Sequence, residues 1–425
     1  MNEWARVWLQ TIGCNEITGT YTQKDNKFEQ FTIVQTPAKN SEQIERKQCL
    51  NIGLYDEEAQ LIETIERVYI QSREKTIVDA LAGKDVPAAI LINNDDWGFG
   101  YFILDDASIR VFENKLSQME NPLNRVVIIG QIISMVRQLA YPATRLPIIM
   151  NQLTDEKNQN LINAVWGQLL AARSSFLPQE AVPKFNYEVA AFFFKKALHE
   201  TDNESLQMFC IDKAVGFITE KDHLKLASSW IFAGKIAIEG QELPCTLTDE
   251  HKYSIVKQYN ASQHFSADEK KELLTKAFET DDSDAGKTVQ RICDYNKPDE
   301  ALKEQLWEDM TNEASRDTLI ETKNKVQGFF QRSHQLEMIK PYFSKFYEVL
   351  PGIVDKRDRE FAEIFMNNLS PAFMAREEDE VAFKAMLDGP VAAKHDFFAL
   401  FLKKQLENIS TTQKSRTLCE TYKTD

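Results

Sequence analysis

The sequence predicts a mainly α-helical protein that opens with a small antiparallel β-sandwich. Three observations carry that reading. Glycine and proline are few, 15 and 13 in 425 residues, which favours long helices over many tight turns. Short runs rich in β-branched and aromatic residues are confined to about the first ninety positions. From about Ser108 almost to the end, apolar residues recur every three or four positions, the spacing of one face of a helix.

In chain order, residues 2–10 read as a helical turn or two that stops near Gly13. Residues 31–35 (FTIVQ), 50–55 (LNIGLY), 68–70 (VYI) and 89–92 (AILI) read as strands. Polar clusters at Lys24-Asp25-Asn26, residues 37–41 and Asp56-Glu57-Glu58 supply turns between them. Helical stripes follow. Val126, Ile129, Ile133, Val136 and Ala140 form one, Leu161, Val165, Leu169 and Ala172 a second, and Leu206, Phe209, Cys210, Ala214 and Phe217 a third. Pro142, Pro147, Pro178, Pro183, Pro298, Pro341, Pro351 and Pro390 are expected between stripes, where helices break. Such a series predicts stacked helical hairpins, although no strict sequence repeat marks them. Residues 410–425, rich in Thr, Ser and Lys, are expected to form a frayed tail. The organisation read from these signals is a helical lead-in over 1–15, a β-sandwich over 16–95, a large α-helical hairpin stack over 96–409 and a flexible tail over 410–425.

The formal net charge is −15, which opposes a nucleic-acid binder with its basic stripe. No uninterrupted apolar run approaches the ~18 residues of a membrane span, and the start has no secretory h-region, so neither membrane insertion nor export is expected. The six cysteines are scattered without a Cys-x-x-Cys pair. They predict reduced thiols in a cytoplasmic protein rather than a disulfide framework or zinc knuckle.

Motifs that carry chemistry fail one by one. A zinc peptidase needs His-Glu-x-x-His on a helix, two imidazoles on one face and a glutamate base. The six histidines are His199, His223, His251, His264, His334 and His395, and no two stand four apart. His199-Glu200 begins correctly, but position 203 is Asn203. Each histidine is read as a surface or capping residue. Gly286-Lys287-Thr288 imitates the end of a phosphate-binding loop, yet the required earlier glycine is Asp281, in an acidic run that would repel phosphate. A helix cap at Ser283 or Asp284 is the better reading. Cys14 lacks a nearby histidine, and Asp95-Asp96 and Asp105-Asp106 read as turn residues. The aromatic clusters Phe192-Phe193-Phe194, Phe329-Phe330 and Phe397-Phe398 read as wedges between packed helices. No catalytic or metal-binding residue is assigned, and substrate-binding residues are not identified.

Several phrases, taken in order, resemble one family. Residues 8–15 (WLQTIGCN) are similar to the segment leaving the thermolysin-like catalytic domain of puromycin-sensitive and bacterial aminopeptidase N enzymes. Residues 31–35 and 51–56 resemble strands of the small β-sandwich in those enzymes, and residues 91–104 resemble its exit into the helical domain. Asn121-Pro122-Leu123-Asn124-Arg125, Lys297-Pro298-Asp299 with Lys303 and Trp307, residues 326–331 (VQGFFQ) and Pro341-Tyr342-Phe343 resemble later helical segments. The resemblance implies a cup-shaped, HEAT-like helical domain that encloses an active site and contacts the distal part of a peptide. It also implies that zinc, its ligands, the glutamate base and the motif holding the substrate N-terminus lie outside this chain, so no cofactor is expected here.

Three roles follow. The chain is expected to be the non-catalytic C-terminal region of an aminopeptidase N-like metallopeptidase. Alternatively it is a catalytically dead homologue acting as a structural or protein-binding subunit of a larger protein assembly. In a third case a separate zinc-bearing aminopeptidase chain is its partner, docking on an apolar interface that includes Trp4, Trp8 and Leu9. The expected partners are a peptide or a protein, with no nucleic acid.

Overall fold

The computed structural model describes residues 3–38, 41, 42, 44, 46–71, 75–315 and 317–422. Asn2, two residues of the turn at 37–41 and the last three of the tail lie outside this set. Helix α1 (Glu3–Leu9) leads into strands β1 (Asn15–Lys24), β2 (Lys27–Pro37), β3 (Gln48–Tyr55), β4 (Leu61–Ile70), β5 (Thr76–Ile77), β6 (Ala89–Asn94) and β7 (Tyr101–Ile103). They form one sheet ordered β5-β2-β1-β7 and another ordered β4-β3-β6. The chain divides into two compact units, residues 1–169 with 421–425, and residues 170–420.

Local chemistry explains the first unit. Asp25 and Asn26 adopt φ of 51° and 59° between the paired Lys24 and Lys27. Those left-handed values suit a two-residue hairpin whose twist matches its strands, and Asn and Asp tolerate them best after glycine. Ile17, Phe28, Phe31 and Ile33 of one sheet and Leu50, Ile52, Leu54, Ile90 and Ile92 of the other form the sandwich core. All four expected strand segments lie in strands. β1 gave no expectation because its residues are largely half-buried or exposed, with few apolar side chains to mark an inward face. The sandwich is also not wholly antiparallel: β7 returns to run parallel to β1, pairing Glu16 to Thr18 with Tyr101 to Ile103. Helices α2 (Asp106–Lys115), α3 (Pro122–Arg137) and α4 (Leu146–Asn151) complete most of this unit, and α5 (Gln159–Ala171) runs to its boundary.

The second unit is helical hairpins. It holds α6 (Val182–His199), α7 (Glu204–Val215), α8 (Lys221–Ala233), α9 (Asp249–Ala261), α10 (Ala267–Ala277), α11 (Asp284–Tyr295) and α12 (Glu300–Thr311). Then come α13 (Leu319–Phe329), α14 (Leu336–Ile339), α15 (Tyr342–Lys356), α16 (Arg359–Leu369), α17 (Glu377–Leu387), α18 (Pro390–Lys394) and most of α19 (Asp396–Thr421). The only strands described in this unit are the two-residue β8 (Ala237–Ile238) and β9 (Gln241–Glu242). Helices α7, α9, α11, α13 and α16 pack in succession, while α6, α8, α12 and α15 each pack on the helix that follows. This is a two-layer stack of hairpins. Trp307 anchors its C-terminal core, in ring contact with Phe329, Tyr342 and Phe365 at 5.3–5.9 Å between centroids.

Two expectations are corrected. Pro351 does not separate helices; it lies inside α15. Pro147, Pro183 and Pro390 sit in the first turn of their helices, where the missing N–H would be unpaired anyway. The stretch from Ser410 is not frayed: α19 continues to Thr421. Ile409, Thr412 and Ser415, spaced by three, are buried. The Ser415 hydroxyl donates to Phe176 O, and Arg416 donates to the carbonyls of Leu177, Phe373 and Met374. Small polar residues on the inner face hid that helix from an apolar count.

Candidate functional site

Two places stand out, one in each unit. In the first unit, α1 is tied to the sandwich by Arg46, which is almost wholly buried. Its guanidinium donates to Asn15 Oδ1 at 2.6 Å and Thr11 Oγ1 at 2.9 Å and lies 6.0 Å from the Trp8 ring centroid. Gly13, at φ +83°, turns the chain there, and a Cβ on it would meet Ser41 Oγ at 2.1 Å. That anchorage leaves large apolar groups in solvent: Trp4 is 58% exposed, Leu9 71%, Ile12 72%, Trp97 70% and Phe99 66%. Trp8, half-buried, meets Phe99 edge-on at 6.1 Å, and Trp4 stands one turn before it on α1. Large grouped aromatics in water commonly mark a docking face.

The segment that presents Trp97 and Phe99 is held from behind by a buried network. Asn124 Oδ1 accepts the Asp95 N–H at 2.8 Å, while its amide nitrogen donates to Asn94 Oδ1 at 3.0 Å and Tyr55 Oη at 3.1 Å. Tyr55 donates to Asn94 Oδ1, and burial holds its phenol well above the ordinary range. Asn93, Asp95 and Asp96 take left-handed φ of 73°, 65° and 57°. Asp95-Asp96 therefore shape a turn, as read from sequence, and Asp105 caps α2 by accepting Ser108 N–H at 3.0 Å.

The remaining candidates are structural. Ser283 caps α11 by accepting the Gly286 N–H, and the Asp281 carboxylate accepts from Ser283 N and Tyr253 Oη. A Cβ on Gly286 would meet Asp281 Oδ2 at 2.3 Å, so a carboxylate fills the space a phosphate would need. Glu200 is buried and paired with Lys196 at 3.1 Å. Cys14 is buried, and burial pushes its thiol pKa up. His251 completes a capping box with Thr248 and bonds Asp212 through Nε2 at 2.6 Å. His223 departs from the expected surface or cap role: it is buried, stacked on Tyr187 at 4.4 Å and edge-on to Phe194. Phe192, Phe193 and Phe194 are all buried wedges. Among the described residues, no group of three or more His, Cys, Asp and Glu is arranged to hold a metal ion, and no helix is long and apolar enough to cross a membrane.

The second place lies in the helical unit. A groove of about 960 Å³ runs along α10 and α11 and is lined by Phe265, Leu274, Phe278 and charges of both signs. At its base Lys270 donates to Ser262 O at 2.6 Å, and burial lowers its pKa to about 8. A smaller recess of about 200 Å³ is lined by parts of α7, α9, α11 and α13.

Residues 89–411, more than half of the chain, match the model of the ERAP1-like C-terminal domain. The chain belongs to that family. The family match begins at β6 and ends within α19, so it takes in all the helical hairpins described above. Aminopeptidase N of Streptomyces lividans is 24% identical over 391 residues, covering 89% of this chain and 44% of that protein. The ERAP1-like chain thus spans less than half the length of that relative. The resemblance read from sequence motifs is shown by these matches.

Proposed function

We propose that the chain is the non-catalytic C-terminal region of an aminopeptidase N-like zinc metallopeptidase. Its helical unit would enclose the active site and contact the peptide when joined to a catalytic half. The observation that carries this reading is the aromatic face of Trp4, Trp8, Trp97 and Phe99 on a member of this family. Such a face gains about 25 cal/mol per Å² of apolar area when another protein surface covers it. Its backing network fixes the aromatics before docking, so little entropy is lost on association. Zinc would come with the catalytic half and supply an activated water there; the residues of this chain would exclude solvent and orient the substrate. Six unpaired thiols support a reducing, cytoplasmic setting.

The test is a pull-down of the native protein, with mass spectrometry of its partners and a fluorogenic amino-acid amide assay on the same sample. Activity, with a zinc-bearing catalytic polypeptide present in equal amount or continuous with this chain, supports the reading. An assembly without such a polypeptide and without activity refutes it and favours a catalytically silent binding subunit.

A further inference from the structure

The 200 Å³ recess is lined by Val215, Gly216, Ser254, Lys257, Gln258, Ile292, Asn296, Gln327 and Gln331, without a carboxylate among them. Ser254, Lys257 and Gln258 stand at i, i+3 and i+4 of α9 and so share one face of that helix. The Lys257 ammonium and the Ser254 hydroxyl have no hydrogen-bond or ion-pair partner among the described residues. Gln258 Oε1 lies 2.7 Å from His334 Nε2. Burial drives the His334 pKa down to about 4, so a neutral imidazole donating from Nε2 leaves the Gln258 amide nitrogen as a further donor without a partner among the described residues. Asn296 is engaged elsewhere: its amide nitrogen donates to Lys257 O, and its oxygen accepts from Asn260.

We propose that this recess binds a small carboxylate, with Lys257 Nζ as the charged anchor and Ser254 Oγ and Gln258 Nε2 as supporting donors. Three donors on one helix face, one of them cationic, call for an acceptor-only ligand. An ionised carboxylate is such a group and forms charge-assisted hydrogen bonds. Lys257 lacks an internal counter-ion, and burial lowers its pKa, the Cys293 thiol acting weakly the other way. A bound anion relieves that cost. The volume limits the ligand: 200 Å³ takes a group the size of an acetylated small amino acid, not a folded chain. A second recess of about 470 Å³ shares Gln327 and Gln331 with the first and also includes Lys323 and Asn368; a longer substituent would extend there. The proposal is independent of any catalytic partner.

The experiment is equilibrium binding to the whole chain, followed by chemical-shift perturbation or calorimetry, with N-acetyl-alanine and its neutral amide as probes. The expected result is saturable binding of the carboxylate and no saturable binding of the amide. Lys257→Gln should weaken the carboxylate at least about tenfold, since one charge-assisted hydrogen bond is lost, while Lys323→Gln should leave it within about twofold. Far-UV circular dichroism of both variants verifies the fold. No binding by the wild-type chain, equal binding of the amide, or affinity retained in Lys257→Gln would overturn the assignment.

Discussion

The two units solve the same problem, buried polar backbone, in different ways. In the first unit, sheet ladders satisfy most groups, and the turn where the sandwich gives way to helices is satisfied by the neutral amides of Asn93 and Asn124, the latter held in place by Tyr55 and Asn94. In the second, many helices end in the interior, and long cations and amides reach those ends. Lys303 Nζ donates to Gly328 O and Phe329 O, both at 2.9 Å, at the end of α13. Lys270 reaches Ser262 O after α9, Arg173 reaches Gly216 O after α7, and Gln335 spans Ala261 O and Asn296 O. A helix C-terminus carries unpaired carbonyls and partial negative charge, so a buried cation there needs no carboxylate. The difference teaches that a buried lysine in a helical stack is as much a backbone cap as an ion-pair member. Lys257 matters because it caps nothing among the described residues.

The comparison can be broken by substitution. The largest effect is expected in the helical core. Trp307→Ala should cost about 3–5 kcal/mol, as for large aromatic truncations, and should lower hydrogen-exchange protection across residues 319–369 far more than in β3. Equal loss in both units would show that they do not differ in this way.

Next is Lys303→Met, which leaves the two carbonyls without their donor and should cost about 1–3 kcal/mol. Burial lowers the Lys303 pKa to about 7, against about 10.4 in the unfolded chain. Between those values the unfolded state binds more protons than the native one, so this group makes stability rise with pH. Denaturation of both proteins from pH 7 to 10 should show the wild-type advantage over Lys303→Met increasing. An advantage that is flat or falls with pH would contradict the lowered pKa of Lys303, while loss of the wild-type advantage at every pH would contradict the capping account.

Asn124→Ala is the matched test in the first unit. It removes the acceptor for Asp95 N–H and the donor to Asn94 and Tyr55, so a loss of about 2 kcal/mol is expected. Because the network backs the turn bearing Trp97 and Phe99, tryptophan fluorescence should also shift. The smallest effect is Ser283→Ala, about 1 kcal/mol for a lost cap, read as fraying of α11 by hydrogen exchange.

Much of this division was legible in the residues. Lys24-Asp25-Asn26 marked a turn, although not the strand that precedes it, and Leu161, Val165 and Leu169 marked a helix on which all three are buried. The α3 stripe was less faithful: Val126 is exposed, while Val127, Ile128 and Ile132 are buried. That helix is apolar nearly all round, so periodicity could not choose its face. The end of α19 was missed because its inner face is Thr and Ser. Trp4, Trp8 and Leu9 could be named as docking residues, but Trp97 and Phe99 join them only through the left-handed turn at residues 93–96, which no short-range pattern encodes. The recess was not legible at all. Ser254, Lys257 and Gln258 look like any solvated helix face, and only the packing of four helices makes that face concave.

The proposed docking of the aromatic face on a catalytic half is tested most directly by reconstitution. The chain would be mixed with the zinc-bearing catalytic half of its own protein or partner, and hydrolysis of a fluorogenic amino-acid amide measured beside that of a Trp97→Glu, Phe99→Glu variant. Stable association with wild-type chain, at least about tenfold weaker for the charged variant and accompanied by a matching change in hydrolysis, is the predicted result. Association and hydrolysis unaffected by two glutamates on that face would contradict it.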